Sequence, residues 1–162
     1  VRDTGHVGTP TGWRAPVATG PVDATVEPPS SKSLMARSLV LAALADERTT
    51  LHRPLVARDS LLMAAALRTL GSRVATDENG PWQVTPPGGR AGRRGDAAVD
   101  CGLSGTVMRF IPPLAALAPV TASFDGDLAA RRRPMEGTLA ALRSLGVRTR
   151  AWPDLDSETR RL

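Results

Sequence analysis

Two stretches of this chain read almost alike. Residues 64–74 are AAALRTLGSRV and residues 139–149 are LAALRSLGVRT, 75 positions apart. An internal repeat constrains a fold more than any single motif does. Each copy must form the same supersecondary unit, and the copies must share a core. The neighbouring elements keep a similar register: two apolar runs end at Leu44 and Leu117, an offset of 73.

Within the first copy, VDATVE at 22–27 alternates apolar and polar residues and predicts a strand. An apolar run from Leu34 to Ala45 follows a serine-rich turn. It is apolar nearly all round, which predicts a helix buried on most sides. TTLHRPLV at 49–56 reads as a short strand. Asp59 is a candidate N-cap for an amphipathic helix over SLLMAAALRTLG, closed by Gly71. SRVAT and WQVTP, joined by the turn DENGP, read as a β-hairpin.

The second copy repeats that order. AAVDCG is a strand, and SGTVMRFIPPLAALA is an apolar helix expected to be kinked or split by Pro112 and Pro113. PVTASFDG is a strand, RPMEGTLAALRSLG an amphipathic helix and VRTRAW a strand. The last hairpin strand is missing, because PDLDSETRRL is polar and lacks a strand pattern. The expected division is therefore a mobile arm over 1–20, unit one over 21–88, an incomplete unit two over 97–150, and a tail over 151–162. The fold class is α/β, built of repeated βαβαββ units around buried helices that call for more protein to cover them.

Apolar residues make up 41% of the chain and aromatics 3%, so Leu, Ala and Val must fill the core. The formal net charge of +5 suits an anionic partner. Cys101 is the single cysteine, which excludes a disulfide framework and favours a reducing, cytoplasmic setting. No 18-residue apolar span and no signal-peptide pattern occurs.

Of the 21 basic residues only Lys32 is a lysine, and it sits in PPSSKSLMAR at the start of the first apolar helix. Ser33 and Arg37 are four apart and share a helical face. Free amides at the helix start, an ammonium, a hydroxyl and a guanidinium would then converge on one spot and outline a phosphate site. A serine cap followed by a solvated lysine and a snorkelling arginine accounts for the same letters. Against that reading, Arg37 lies in an otherwise apolar helix, and an ammonium touches two anions as a point charge in a way a guanidinium does not.

DCGLSGTVMRF at 100–110 places Gly102 and Gly105 in a strand-to-helix turn, where glycine permits close approach of a ligand, with Arg109 four residues on from Gly105. An ordinary βα turn explains it equally well when taken alone. Neither a P-loop nor a dinucleotide fingerprint is present. In ARRRPMEG, Arg131 to Arg133 precede Pro134, and cations at a helix start oppose its dipole unless an anion is bound. GGRAGRRG at 88–95 is Gly/Arg-rich like some RNA-binding tails, but its position between units and lack of aromatics favour a loop. His6 and His52 show no spacing for a metal or a triad, so no metal site is argued.

Taken in order, PSSKSLMARSLVLAALA, RDSLLMAAALRTLG, CGLSGTVMRF and FDGDLAARRRPMEGTLAALRSLGV resemble the EPSP synthase family (3-phosphoshikimate 1-carboxyvinyltransferases), most closely its actinobacterial type. The resemblance covers about residues 20–150 and matches an N-terminal fragment of the family's length. The family of UDP-N-acetylglucosamine enolpyruvyl transferases is less similar, since it carries Asn where this chain has Ser33. The resemblance implies an enolpyruvyl transferase inside-out α/β barrel fold, a cytoplasmic monomer and a step in aromatic amino acid biosynthesis. The implied reaction moves the enolpyruvyl group of phosphoenolpyruvate to the 5-hydroxyl of shikimate 3-phosphate by addition and elimination, without a cofactor.

By the same resemblance, Lys32 touches both substrates, Ser33 and Arg37 hold shikimate 3-phosphate, and Gly105 and Arg133 meet phosphoenolpyruvate. Thr106 and Arg109 support that block. Five positions depart from the common family pattern: Ser30 replaces Gly, Ala36 replaces Asn, Leu103-Ser104 replaces Asn-Ala as in actinobacterial-type members, and Arg132 replaces a frequent Glu. Ser30 is expected to strain its turn if that turn needs a positive φ. The family's Ser-Ser-Gln block and its later catalytic aspartate and lysine have no counterpart in these 162 residues, so the polypeptide alone is expected to be inactive. A basic nucleic-acid-binding protein and a non-catalytic remnant are the competing readings.

Overall fold

A computed structural model describes residues 15–88 and 95–151. Most of the expected arm, the centre of GGRAGRRG and nearly all of the expected tail lie outside the described residues. The elements run α1 (Lys32–Leu44), β1 (Thr49–Leu51), α2 (Arg58–Thr69), β2 (Arg73–Ala75), β3 (Trp82–Thr85), β4 (Gly95–Asp100), α3 (Gly105–Ala115), β5 (Val120–Asp125), α4 (Leu128–Arg131) and α5 (Glu136–Ser144).

The first stretch closes on a three-stranded antiparallel sheet in the order β1-β3-β2. Val84 pairs with both Thr49 and Val74, so β3 is central. Asp77 shapes the β2–β3 turn by accepting the N–H of Asn79 and of Gly80 (2.9 and 3.0 Å), and its carbonyl takes the indole N–H of Trp82 at 2.7 Å. Trp82 thereby buries its ring completely without stranding its one donor. On the sheet lies α2, whose buried Met63, Ala64, Leu67 and Leu70 follow the helical period. α1 packs across α2, β3 and α3 through Met35, Leu39, Ala42 and Ala43.

In the second stretch β4 and β5 pair in parallel over six residues, from Gly95↔Val120 to Asp100↔Asp125, with α3 as the crossover. A parallel pair needs such a connection, and its ligand-facing edge is the carboxyl end of the strands. Here that end leads directly from Asp100 into the α3 start.

The repeat is visible in the helix ends. Beyond α2, Gly71 N–H donates to Arg68 O and Ser72 N–H to Leu67 O; beyond α5, Gly146 N–H donates to Arg143 O and Val147 N–H to Leu142 O. Both are the same two-bond C-terminal motif around a left-handed glycine, 75 positions apart. The starts of α1 and α3 also match, with Ser31 and Ser104 as caps accepting Leu34 N–H (3.3 Å) and Val107 N–H (3.4 Å).

Several expectations are corrected. Residues 22–27 form no strand; they are exposed, and among the described residues no strand pairs with them. The described part of VRTRAW likewise forms none, for the same reason. The strand over 49–56 shrinks to Thr49–Leu51. α3 is not split: it runs unbroken to Ala115, and Ala116 N–H donates to Pro112 O at 3.1 Å. Both prolines fall in the closing turns, so only the bonds back to Met108 and Arg109 are lost, while Ile111 and Pro112 gain burial. α1 is not buried on most sides, because Leu34, Leu41 and Leu44 are more than half exposed. Arg37 lies on the exposed surface, not in an apolar interior, which removes the desolvation cost argued for it. Among the described residues no helix is long and apolar enough to cross a membrane.

Candidate functional site

The starts of α1 and α3 carry serine caps and no acidic residue in their first turns, so the dipole at each end is left for an anion. A carboxylate from α2 joins the two. Asp59 Oδ2 lies 2.9 Å from Lys32 Nζ and accepts the hydroxyl of Ser104 at 3.2 Å. Asp59 is therefore not the N-cap of α2, as its position in the sequence suggested. That place is taken by Ala57, which has no capping side chain, and Asp59 is the second residue of the helix. Its carboxylate is thus free to turn away from its own helix toward its neighbours.

Ser104 is fully buried, and its hydroxyl is consistently used. Its single proton goes to Asp59, so in the 2.9 Å contact with Thr106 Oγ1 the threonine is the donor. The remaining lone pair caps Val107 N–H.

One residue past that cap, Gly105 is overhung by two guanidinium groups. A methyl built on it would lie 2.5 Å from Arg133 Nη1 and 3.1 Å from Arg109 Nη1. Arg109 is steadied by two carbonyls, donating to Gly105 O (3.2 Å) and Pro134 O (3.5 Å). Arg133 reaches the site because the α4 loop is tied to the β4–α3 turn. Asp127 N–H donates to Gly102 O (3.1 Å), and Arg58 donates to Asp127 Oδ2 (2.9 Å). That close approach requires Gly126, since a Cβ there would collide with the Gly102 carbonyl. Arg131 is held away by a two-pronged bond to Asp125 (2.8 and 2.7 Å), and that hydrogen bonding, with a smaller contribution from the carboxylate's charge, raises the guanidinium pKa. Among the described residues no carboxylate pairs with Arg37, Arg109 or Arg133.

Lys32, Gly105, Thr106, Arg109 and Arg133 thus meet along one path: Lys32 to Asp59, Asp59 to Ser104, and Ser104 to the α3 start beneath Arg133. Ser33 follows Lys32 in the first turn of α1, and Arg37 stands one turn further on. Arg37 donates to Ser33 O (3.1 Å), and its guanidinium lies 5.7 Å from the centre of the Phe110 ring on α3. Asp59 and Ser104 escaped the sequence reading. The available signal was RDS at 58–60 and a serine where the family pattern has alanine.

Ser30 shows no positive φ, so the expected strain at that position is absent. It donates instead to Arg53 O at 2.5 Å, and Arg53 itself holds a left-handed φ of 51°. A separate concavity of about 330 Å³, lined by His52, Arg53, Pro54, Glu78, Asn79, Gly80 and Pro81, lies at the end of β1 and the β2–β3 turn, and none of Lys32, Gly105 and Arg133 lines it. Cys101 is buried, and burial together with Asp100 and Asp125 pushes its thiol up to about 11, which leaves it unsuited to nucleophilic work.

Comparison with known proteins gives concordant results. The family model for EPSP synthase (3-phosphoshikimate 1-carboxyvinyltransferase) matches residues 17–152. A 3-phosphoshikimate 1-carboxyvinyltransferase of Kocuria rhizophila is 52% identical over 141 residues, covering 83% of this chain and 32% of that protein. An EPSP synthase structure from Acinetobacter baumannii superposes with a TM-score of 0.67 at 27% identity, over 74% of this chain and 27% of that one. A second structure of that enzyme gives 0.66 at 28% identity, over 73% and 26%. The chain spans about a third of the length of the curated relative it matches.

Proposed function

The chain belongs to the EPSP synthase family and has its α/β fold, and from that premise we propose that it is the part, inactive alone, of an enzyme that transfers the enolpyruvyl group of phosphoenolpyruvate to the 5-hydroxyl of shikimate 3-phosphate. These residues supply the cradle for the two anions. Lys32 contacts both, Ser33 and Arg37 bind shikimate 3-phosphate, and Gly105 and Arg133 receive phosphoenolpyruvate, with Thr106 and Arg109 in support. In this reading unit one spans 21–88 and unit two, incomplete, spans 97–150. The full-length enzyme acts in the cytoplasm, as a monomer, on small molecules and not on nucleic acid.

The chemistry explains why such residues are needed. Protonation of phosphoenolpyruvate at C3 opens C2 to the 5-hydroxyl, giving a tetrahedral intermediate. Loss of phosphate and of a methyl proton then restores the double bond. Negative charge gathers on the departing phosphate, and fixed cations at two dipole-bearing helix starts stabilise it without reorganising. The observation that carries this reading is the meeting of the Lys32 ammonium with the Gly105–Arg133 corner through one carboxylate and one buried hydroxyl. An arginine-rich nucleic-acid surface would not need its cations gathered at two helix starts.

Calorimetric titration of the 162-residue chain with each substrate, at two salt concentrations, tests it. Saturable binding of shikimate 3-phosphate that Lys32→Met abolishes is expected, with no phosphate release from this polypeptide alone. Binding of single-stranded oligonucleotide in preference to shikimate 3-phosphate, lost steeply with salt, would support the nucleic-acid alternative.

A further inference from the structure

We propose that Asp59 is a positioning residue: it locks the α1 and α3 starts to each other and holds the Lys32 ammonium where the two substrates meet. This rests on the functional reading above and adds to it a residue that reading does not contain.

The case is geometric. One carboxylate oxygen, Oδ2, takes both Lys32 Nζ at 2.9 Å and the Ser104 hydroxyl at 3.2 Å. The two donors come from different repeat units, and the carboxylate comes from a third helix, α2. Asp59 is only 20% exposed and Lys32 58%, so the carboxylate is the fixed partner and the ammonium the one being held. An ion pair this open adds little stability. Ser104 is fully buried and spends its only proton on Asp59. Removing the carboxylate would leave that proton only Thr106 Oγ1, 2.9 Å away, and would break the tie from α2 to the cap of the helix that carries Gly105. The link from α3 to Asp59 depends on the hydroxyl of Ser104, which an alanine at this place would lack.

Two simpler roles compete, and each makes a different prediction. Asp59 lies in the first turn of α2, where a negative charge favours the dipole. That role needs neither Lys32 nor Ser104. As a bare charge beside a site for anions, Asp59 would also oppose the ligand, so its removal would tighten binding. A positioning role has the opposite sign: neutralising Asp59 frees Lys32 and weakens binding.

Because Lys32 is the chain's single lysine, lysine-specific isotope labelling gives one side-chain ammonium signal to follow. In the ligand-free chain, Asp59→Asn should speed exchange of the Lys32 ammonium protons with water by roughly fivefold to tenfold and shift the signal. Ser104→Ala should shift it less. In calorimetry with phosphoenolpyruvate in the presence of shikimate 3-phosphate, Asp59→Asn should weaken binding about tenfold and Asp59→Glu should recover part of the loss. Circular dichroism checks that each variant is folded. Should Asp59→Asn unfold, Ser104→Ala and Asp59→Glu carry both readouts. An unmoved Lys32 signal in folded Asp59→Asn, or tighter binding by it, overturns the proposal. A wild-type chain that binds neither ligand sinks the functional reading and the substrate half of this proposal together, whereas an unmoved signal sinks the proposal alone.

Discussion

The guanidinium of Arg133 stands over Gly105, so that a single added methyl would lie 2.5 Å from Nη1. The obstructed atom is the far end of a flexible side chain, not backbone. Gly105→Ala should therefore fold normally, with a melting temperature within a few degrees of wild type, as Arg133 swings aside. The ligand assigned to Arg133 should suffer: phosphoenolpyruvate binding should fall about tenfold or more, and shikimate 3-phosphate binding should hardly change. Parallel calorimetric titrations with the two ligands check this. Equal losses for both would mean that the helix start itself had moved.

Lys32→Arg is not a conservative change here. A planar guanidinium does not reproduce a compact ammonium that must touch Asp59 and two anions from one point. Binding of both substrates should weaken at least about fivefold despite the retained charge, which corresponds to roughly 1 kcal/mol. Titration of the variant with each ligand measures it, and unchanged affinities would reduce Lys32 to a mere positive charge.

The two repeat-equivalent leucines should respond differently to truncation. Leu70 is 5% exposed beneath the hairpin side of α2, whereas Leu145 at the same place beyond α5 is 79% exposed. Leu70→Ala should cost about 2–4 kcal/mol in urea unfolding and Leu145→Ala less than about 0.5. Similar costs would mean that α5 is covered as α2 is.

Cys101 gives a pH dependence. Its thiol is raised from 9.0 to about 11 in the folded chain, first by burial and then by Asp100 and Asp125. The folded state therefore holds its proton where the unfolded state gives it up. Stability from this group is complete below about pH 9 and is lost as the pH rises through 11, by a total on the order of 2 kcal/mol. Urea unfolding at pH 8 and pH 10.5 should show this loss in wild type and a smaller one in Cys101→Ala. A thiol reagent should label the native chain slowly and the unfolded chain at once.

Ser30 and Arg53 offer a test of the turn that leads into α1. Ser30→Ala removes the bond to Arg53 O and should cost about 0.5–1.5 kcal/mol. Arg53→Gly relieves the left-handed backbone at φ 51° and should gain up to about 1 kcal/mol, since the exposed pair with Glu27 contributes little. Urea midpoints of the two variants read both effects.

These results show which physical signals a sequence carries and which it does not. Helical periodicity marked α2 and α5, and the glycine ends at Gly71 and Gly146 marked where they stop, because those constraints act within a few residues. Pairing was less legible. VDATVE alternates as a strand should, but alternation specifies a face and not a neighbour, and among the described residues no strand pairs with it. The prolines of α3 signalled a break that burial of Ile111 and Pro112 overrides. At the site, the cations were legible because charge in an apolar or glycine-rich setting stands out. Asp59 was not, because an acidic residue opening a helix has an ordinary explanation, and only the packing of α2 between two helix starts reveals its partners.

The most direct test is a crystal structure of this chain with shikimate 3-phosphate and phosphoenolpyruvate bound together. The account predicts Lys32 Nζ within about 3 Å of an oxygen from each ligand, with phosphoenolpyruvate between Gly105 and Arg133. Ligands seated in the concavity beside His52 and Glu78, with Lys32 still turned to Asp59 alone, would contradict it.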